Sequence, residues 1–381
     1  MTPHGSRVLH RALLRAALAA GHVFTWVFIF QYFNLVRGNL SEGIAATLLT
    51  FALTQLITVL LTPFFAREIR VGFKRLLIYG TLVLSLAFAL LAAGFAGYLG
   101  SAALGVTLFA LLSGVYRSMY RVPYALAKES TPGRIHYLWE VFIALAPAAA
   151  GFLLIGGPVA TILLLSITAL LTALSIVPLL PLPDIRESYA WGYRESFHEL
   201  FSSDRRRMTF DSILAGIEGA ALLILWPLLI FLLLQWSYAM LGIVLSATLL
   251  LALFLRRFFE RRLTHLSSAV TALINASSWI MRLSVAGAVG VVLVDTYFYL
   301  GSGHKRRGID FQTFEQAADN ATHVDEYTAL KEMGMGIGRI IVCLVTAGLA
   351  AYFSVALTFT LVFITVALVA AYSSLSQRTA K

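Results

Sequence analysis

The chain has 381 residues, 59% of them hydrophobic and 13% charged, with a formal charge of +10. A soluble domain carries about 25% charged residues and has no use for uninterrupted apolar runs such as 47–61, 76–98 and 219–234, so a soluble globular protein is excluded. The basic residues sit in short clusters between these runs, which assigns the charge to lipid headgroups and topology rather than to nucleic acid.

Runs of about 20 apolar residues match a hydrocarbon layer of about 30 Å at 1.5 Å per helical residue, and in lipid the backbone must satisfy itself within each segment, so the runs are predicted to be helices. A transmembrane barrel would alternate apolar and polar residues, and these runs do not. In chain order the predicted spans are 15–36, 43–66, 75–99, 102–126, 136–157, 159–181, 209–234, 238–256, 265–281, 283–303, 327–352 and 355–375. The first follows Arg7, Arg11 and Arg15 and is too long for a cleaved signal segment, so it is read as an uncleaved span. The ninth and tenth are separated only by a short stretch ending at Arg282, which leaves one of them open to being tilted, broken or re-entrant. The longest polar stretch, Pro183 to Met208, divides the chain into an N-terminal bundle (1–181), a cytoplasmic linker (182–208) and a C-terminal bundle (209–381). A second polar stretch, His304 to Glu326, is expected to form an amphipathic surface helix.

Charge tests the count independently. With twelve spans, the clusters Arg7–Arg15, Arg67–Arg75, Lys128–Arg134, Arg186–Arg207, Arg256–Arg262 and Lys305–Lys331, together with Arg378 and Lys381, all fall on one side, and the other side keeps only Arg37, with Arg282 at a helix end. That is the positive-inside pattern for a plasma-membrane protein of the bacterial inner-membrane type with both termini cytoplasmic. A weak internal repeat pairs Ala20-Gly21-His22 with Ala215-Gly216-Ile217-Glu218.

Twelve spans, cytoplasmic termini, a long central loop and equal halves resemble the major facilitator superfamily. The loop Phe65-Ala66-Arg67-Glu68-Ile69-Arg70-Val71-Gly72-Phe73-Lys74 matches that family's signature at Arg70, Gly72 and Lys74, with Phe65 in place of the leading glycine and Glu68 one place before the acidic position. The segments Tyr116 to Tyr124, carrying Arg117 and Arg121, and Glu326 to Arg339 are also similar to the family. The resemblance implies an all-α fold of two six-helix bundles around a central cavity lined by spans one, four, seven and ten. It also implies a secondary transporter that works by rocking of the halves rather than an enzyme. A polytopic enzyme or a scramblase acting on lipid is the alternative.

Charges inside apolar spans are costly and face a cavity or a partner. Arg117 and Arg121 lie four apart on one helix face; Arg117 is expected to contact an anionic group of a small-molecule substrate. Glu218 or Asp295 is expected to couple transport to protons or cations, and these two with Arg121 and His22 are expected to form a polar ring in the inner half of the cavity. Glu140 and Arg339 are read as gating ion pairs, and Gln31, Tyr116, Tyr120, Trp226 and Tyr299 as substrate-facing walls. Gly334 and Gly338 form a small-residue packing pair, and Ala286, Gly287 and Gly290 are expected to do the same. No cofactor and no metal is expected: Cys343 stands alone, the histidines are scattered, and the glycines at 334–338 lack a strand and a Lys-Ser/Thr. The expected partners are membrane lipids and a small solute, and the expected state is a monomer.

Overall fold

The computed structural model describes residues 3–126, 134–184, 189, 191–263, 267–302 and 324–376. Among them the chain is built from α-helices with short 3-10 and π segments: α1 (Pro3–Arg37), α2 (Leu40–Arg67), α3 (Phe73–Phe95), α4 (Ala102–Leu126), α5 (Arg134–Leu153), α6 (Pro158–Leu174), α7 (Tyr193–Leu200), α8 (Arg206–Ala220), α9 (Trp226–Leu233), α10 (Tyr238–Leu263), α11 (Ser268–Met281), α12 (Ala288–Ser302), α13 (Val324–Tyr352) and α14 (Val355–Ser376). Ten of these segments are long and apolar enough to cross a membrane, α8 and α9 counting as one through a π segment. The chain is an integral membrane protein. The expected helix at 304–326 lies outside the described residues, apart from the start of α13.

The radial pattern is inverted relative to a soluble bundle. On α2 the large residues Leu49, Leu56, Leu60 and Phe64 face outward, spaced to form a lipid-facing stripe, while Thr47, Thr54, Gln55, Thr58 and Thr62 are buried. The buried hydroxyls are satisfied within the helix: Thr47, Thr58 and Thr62 donate to the carbonyls four residues back at 2.7–2.9 Å. Burying threonine therefore leaves no orphan donor, and its small volume lets neighbouring helices approach.

The helix ends define two faces. One, here the terminal face, carries the start of α1 with the ends of α4 and α6, since His10 bonds both Tyr120 and Ser175. The far face carries the turns at 38–39, 96–101, 154–157 and 234–237. Helix α1 begins at Pro3 rather than 15 and runs on through the basic residues. Arg15 is buried there against Glu140 of α5, so the helix continues to seat a charge rather than stopping at the headgroups.

The ninth and tenth spans depart furthest from expectation. Helix α11 has 14 residues, about 21 Å, and α12 has 15, about 23 Å. Helix α11 falls short of a bilayer of about 30 Å, and α12 runs to the last described residue of its segment. The chain turns early, through a 3-10 segment at Arg282–Ser284, because Arg282 is drawn inward to Asp295. The span between α8 and α9 is also irregular. Pro227 has no N–H to give and its ring crowds the carbonyl of Leu223, and the π segment Ala221–Leu225 sits directly before it.

Two expectations for glycine part company. A Cβ on Gly338 would stand 2.0 Å from the Ile213 carbonyl oxygen and one on Gly334 2.8 Å from Ser212, so both close the α8–α13 contact as a packing pair. A Cβ on Gly287 would meet open space, and one on Gly290 meets only Val285 of its own turn; these two are not a packing seam, because the early turn at Arg282 carries them out of any helix contact.

The loop after α2 is tied down from the segment that follows α6. Asp184 accepts from the backbone N–H of Lys74 at 3.0 Å and lies 3.7 Å from Arg75, and its carboxylate fills the space where a Cβ on Gly72 would stand. Gly72 has φ +150°, so this position needs glycine twice over. The loop's acidic partner is thus Asp184, in the segment after α6, with Ile69 at the family's acidic position. Gly72→Ala is expected to evict Asp184 and cost about 2 kcal/mol, the worth of a charged hydrogen bond. Gly287→Ala should stay within about 0.5 kcal/mol. Thermal unfolding of the two variants in detergent checks the contrast.

Candidate functional site

Buried polar groups collect where the first and second parts of the chain meet. Near the terminal face, α2 packs closely on α13, with α4 beside them. Here Arg121 of α4 lies 4.0 Å from Glu332 of α13. One turn deeper stands Arg117, 5% exposed, its guanidinium 5.9 Å from the Phe51 ring centre. Arg339, fully buried on α13, donates from Nη1 to Gln55 Oε1 of α2 at 3.1 Å. Arg117 is electrostatically coupled to both Arg339 and Arg121, with Glu332 as the opposing charge. Gly336 seals this seam: a Cβ there would stand 2.4 Å from Val59 Cγ2.

The second cluster surrounds Asp295 of α12. Its carboxylate accepts from Arg282 Nη2 at 2.8 Å and from Trp226 Nε1, 2.9 Å from each oxygen. Arg282 is 1% exposed and caged by rings, its guanidinium carbon 4.2 Å from the centre of Trp279, 4.8 Å from Phe298 and 5.2 Å from Trp226. The ring faces hold the cation by their quadrupoles while Asp295 neutralises it. A small cavity of about 20 Å³ opens beside this pair, lined by Trp226, Asp295, Tyr299, Thr248, Leu245 and Leu222 among others. That is room for one water, not for an organic solute.

The far face is closed as well. Helix α5 meets α10 backbone to backbone: a Cβ on Gly151 would stand 2.6 Å from the Tyr238 carbonyl, and one on Gly242 2.3 Å from that of Pro147. Tyr238 donates its hydroxyl to Gln31 at the end of α1, and Trp236 stacks on Phe30 at 5.4 Å.

The residues singled out in the sequence are therefore distributed as follows. Arg117, Arg121 and Arg339 come together, and His22 is electrostatically coupled to Arg117 and Arg121. Trp226, Tyr299 and Asp295 share the cavity wall. The polar ring does not form as expected: Arg121 pairs with Glu332 and Asp295 with Arg282, not with each other or with Glu218. Glu218 is buried near the π segment with no ion pair or hydrogen bond among the described residues. Glu140 is a bidentate partner of Arg15 at 2.5 and 2.8 Å, joining α1 to α5. Gln31 belongs to the far-face closure, and Tyr120 donates to His10 Nε2 at 2.9 Å while His10 Nδ1 donates to the Ser175 carbonyl at 2.6 Å; the Tyr116 ring lies 5.2 Å from that of Tyr120, tilted by 34°. Sequence reasoning missed His10, Gln55 and Arg282. Only Arg282 carried a signal, as a charge between two apolar runs.

No family model and no curated protein matches the chain. Solved structures do match over its whole length. The crystal structure of a POT family transporter in complex with 5-aminolevulinic acid superposes with a TM-score of 0.63 at 12% identity, covering 98% of this chain and 95% of that one. The crystal structure of the nucleoside transporter NupG superposes with a TM-score of 0.61 at 14% identity, covering 98% of each. The chain has the major facilitator fold. Within that fold, α2 packs on α13 near the terminal face and α5 on α10 near the far face. One charged cluster lies in the α2–α4–α13 seam, the other on α9, α11 and α12.

Proposed function

We propose that this chain is a secondary active transporter that moves a small organic solute across a plasma membrane by alternating access. The observation that carries the reading is the pair of glycine-built closures, α2 on α13 at the terminal face and α5 on α10 at the far face, with buried charge in the first of them. A static membrane scaffold has no need of unneutralised charge at a seam, because such charge is costly unless a ligand or water meets it in another state. Helices that approach this closely, backbone to backbone at α5–α10 and glycine to side chain at α2–α13, separate as rigid bodies, which is what opening one face at a time requires.

In this reading α11 and α12 complete twelve spans in two bundles, 1–181 and 209–381, joined by a linker at 182–208, and the basic loops hold both termini in the cytoplasm. Trp226 and Tyr299 wall the solute site. Glu218 is the coupling carboxylate. Its carboxylate is buried with no ion pair among the described residues, close to a π segment that gives α8 and α9 a place to bend. Asp295, by contrast, is committed to Arg282.

Purified protein in proteoliposomes is expected to accumulate solute from a mixed metabolite pool when a proton gradient is imposed. Glu218→Gln is expected to keep downhill exchange while losing at least about 10-fold of the gradient-driven accumulation, since the neutral amide carries no proton. Undiminished accumulation in Glu218→Gln removes the coupling assignment; lipid flip-flop without solute flux replaces the transporter with a scramblase.

A further inference from the structure

Among the described residues, the charge on Arg117 and Arg339 is not balanced by protein groups at the α2–α4–α13 seam. The carboxylate coupled to both is Glu332, which lies 4.0 Å from Arg121 and two helical turns before Arg339 along α13. Among the described residues, Arg117 and Arg339 have one hydrogen-bond acceptor between them, Gln55 Oε1. Around them several buried polar atoms capable of donating have no partner among the described residues: Arg117 Nη1, Arg339 Nε and Nη2, Gln55 Nε2 and Ser113 Oγ, the last one turn from Arg117 on α4. All lie on residues at least nine-tenths buried.

Two buried like charges with an excess of donors define what would complete the site: a ligand that accepts hydrogen bonds and carries negative charge. The geometry of Arg339 narrows this further. Its Nη1 is spent on Gln55, and the free pair Nε and Nη2 forms the side edge of the guanidinium, which presents two parallel N–H groups. That edge matches the two oxygens of a carboxylate or a phosphate, and a spherical ion such as chloride cannot use it in the same way.

We propose that Arg117 and Arg339 form an oxyanion clamp, and that the transported solute is a small organic acid whose carboxylate is held between them with Gln55 and Ser113 as auxiliary donors. This rests on the transporter reading above and names its substrate class. The clamp takes Arg117, Ser113 and Gln55 from α4 and α2 and Arg339 from α13, so it is complete only when the terminal face is closed. A bound carboxylate bridges two elements that otherwise repel, and closure of that face becomes favourable when the site is loaded.

The test is thermal stabilisation of the purified full-length chain by a panel of monocarboxylic and dicarboxylic acids, inorganic phosphate and chloride, each acid run beside its methyl ester. At least one acid is expected to raise the melting temperature in a saturable way, with its ester, and chloride at equal ionic strength, without effect. Arg117→Gln and Arg339→Gln are each expected to weaken that binding about 10- to 100-fold, the worth of a charged hydrogen bond, and Arg37→Gln at the far-face loop to leave it unchanged. The acid–ester comparison on the unmodified chain stands even where a variant fails to fold. Equal stabilisation by acid and ester, or by chloride, overturns the clamp. So does stabilisation that appears only in phosphatidylglycerol nanodiscs and not in phosphatidylcholine, which would assign the site to a lipid phosphate. Flux of a neutral or cationic solute in proteoliposomes, with the acids inert, upholds the transporter and sinks the clamp. Saturable acid binding with no flux of any solute does the reverse.

Discussion

Removing Arg282 alone is expected to destabilise the chain more than removing Arg282 and Asp295 together. Arg282→Gln leaves the Asp295 carboxylate buried with only the Trp226 N–H beside it, and breaking a buried pair from one side costs about 3–5 kcal/mol. Asp295→Asn strands the guanidinium inside three aromatic rings, which hold a cation but do not neutralise it. The double variant retains an amide at each position and no net buried charge, so its cost is expected to fall well below the sum of the singles. The measurement is a thermal-unfolding double-mutant cycle in detergent. Additive costs, within about 0.5 kcal/mol, would mean that the two side chains act independently and that the early turn after α11 has another cause. Arg282→Lys adds a sharper contrast. It keeps the charge but loses the flat face that stacks against Trp279 at 4.2 Å, so an intermediate loss is expected.

This pair also marks the boundary of what the sequence made legible. Most spans could be read because bilayer thickness fixes the length of an apolar run, and nothing in a packed bundle shortens it. The exception is where a charge outbids the membrane: α11 stops at Met281 because Arg282 turns into the protein, and a hydropathy reading sees only an arginine between two greasy segments. The candidate site was legible to the extent that charge inside an apolar run is conspicuous, which is why Arg117, Glu218, Asp295 and Arg339 stood out. Their partners were not. Arg15 finds Glu140 across 125 residues and Arg339 finds Gln55 across 284, and no local pattern encodes which helix faces which. His10 lay hidden for another reason. It sits among the basic residues that precede the predicted first span, where a titratable group looks like a solvated one, yet its ring bridges Tyr120 and Ser175.

The largest functional effects are expected from two substitutions that add a few carbon atoms and no charge. Gly242→Val places methyl groups where the Pro147 carbonyl already stands 2.3 Å from an ideal Cβ, and backbone cannot swing aside as a side chain does. Gly336→Val drives against Val59, a β-branched residue with little rotamer freedom, at 2.4 Å. The first wedges α5 from α10 at the far face, the second α2 from α13 at the terminal face. Overpacking costs about 1–3 kcal/mol, and only the closed form of the wedged face bears it, so each variant shifts the balance between conformers about 5- to 150-fold toward opening on its own side. Transport is expected to fall by a similar factor in both, because a carrier held open at one face cannot turn over. The signature that separates this from simple misfolding is directional. With Cys343→Ala as background and Tyr299→Cys as a reporter thiol on the cavity wall, an impermeant maleimide is expected to label Gly242→Val faster from the far side and Gly336→Val faster from the terminal side, in sealed vesicles of known orientation. Labelling that rises from the same side in both variants, or from both sides in either, would show that the two glycine seams are not opposing gates, and alternating access through this fold would lose its structural basis.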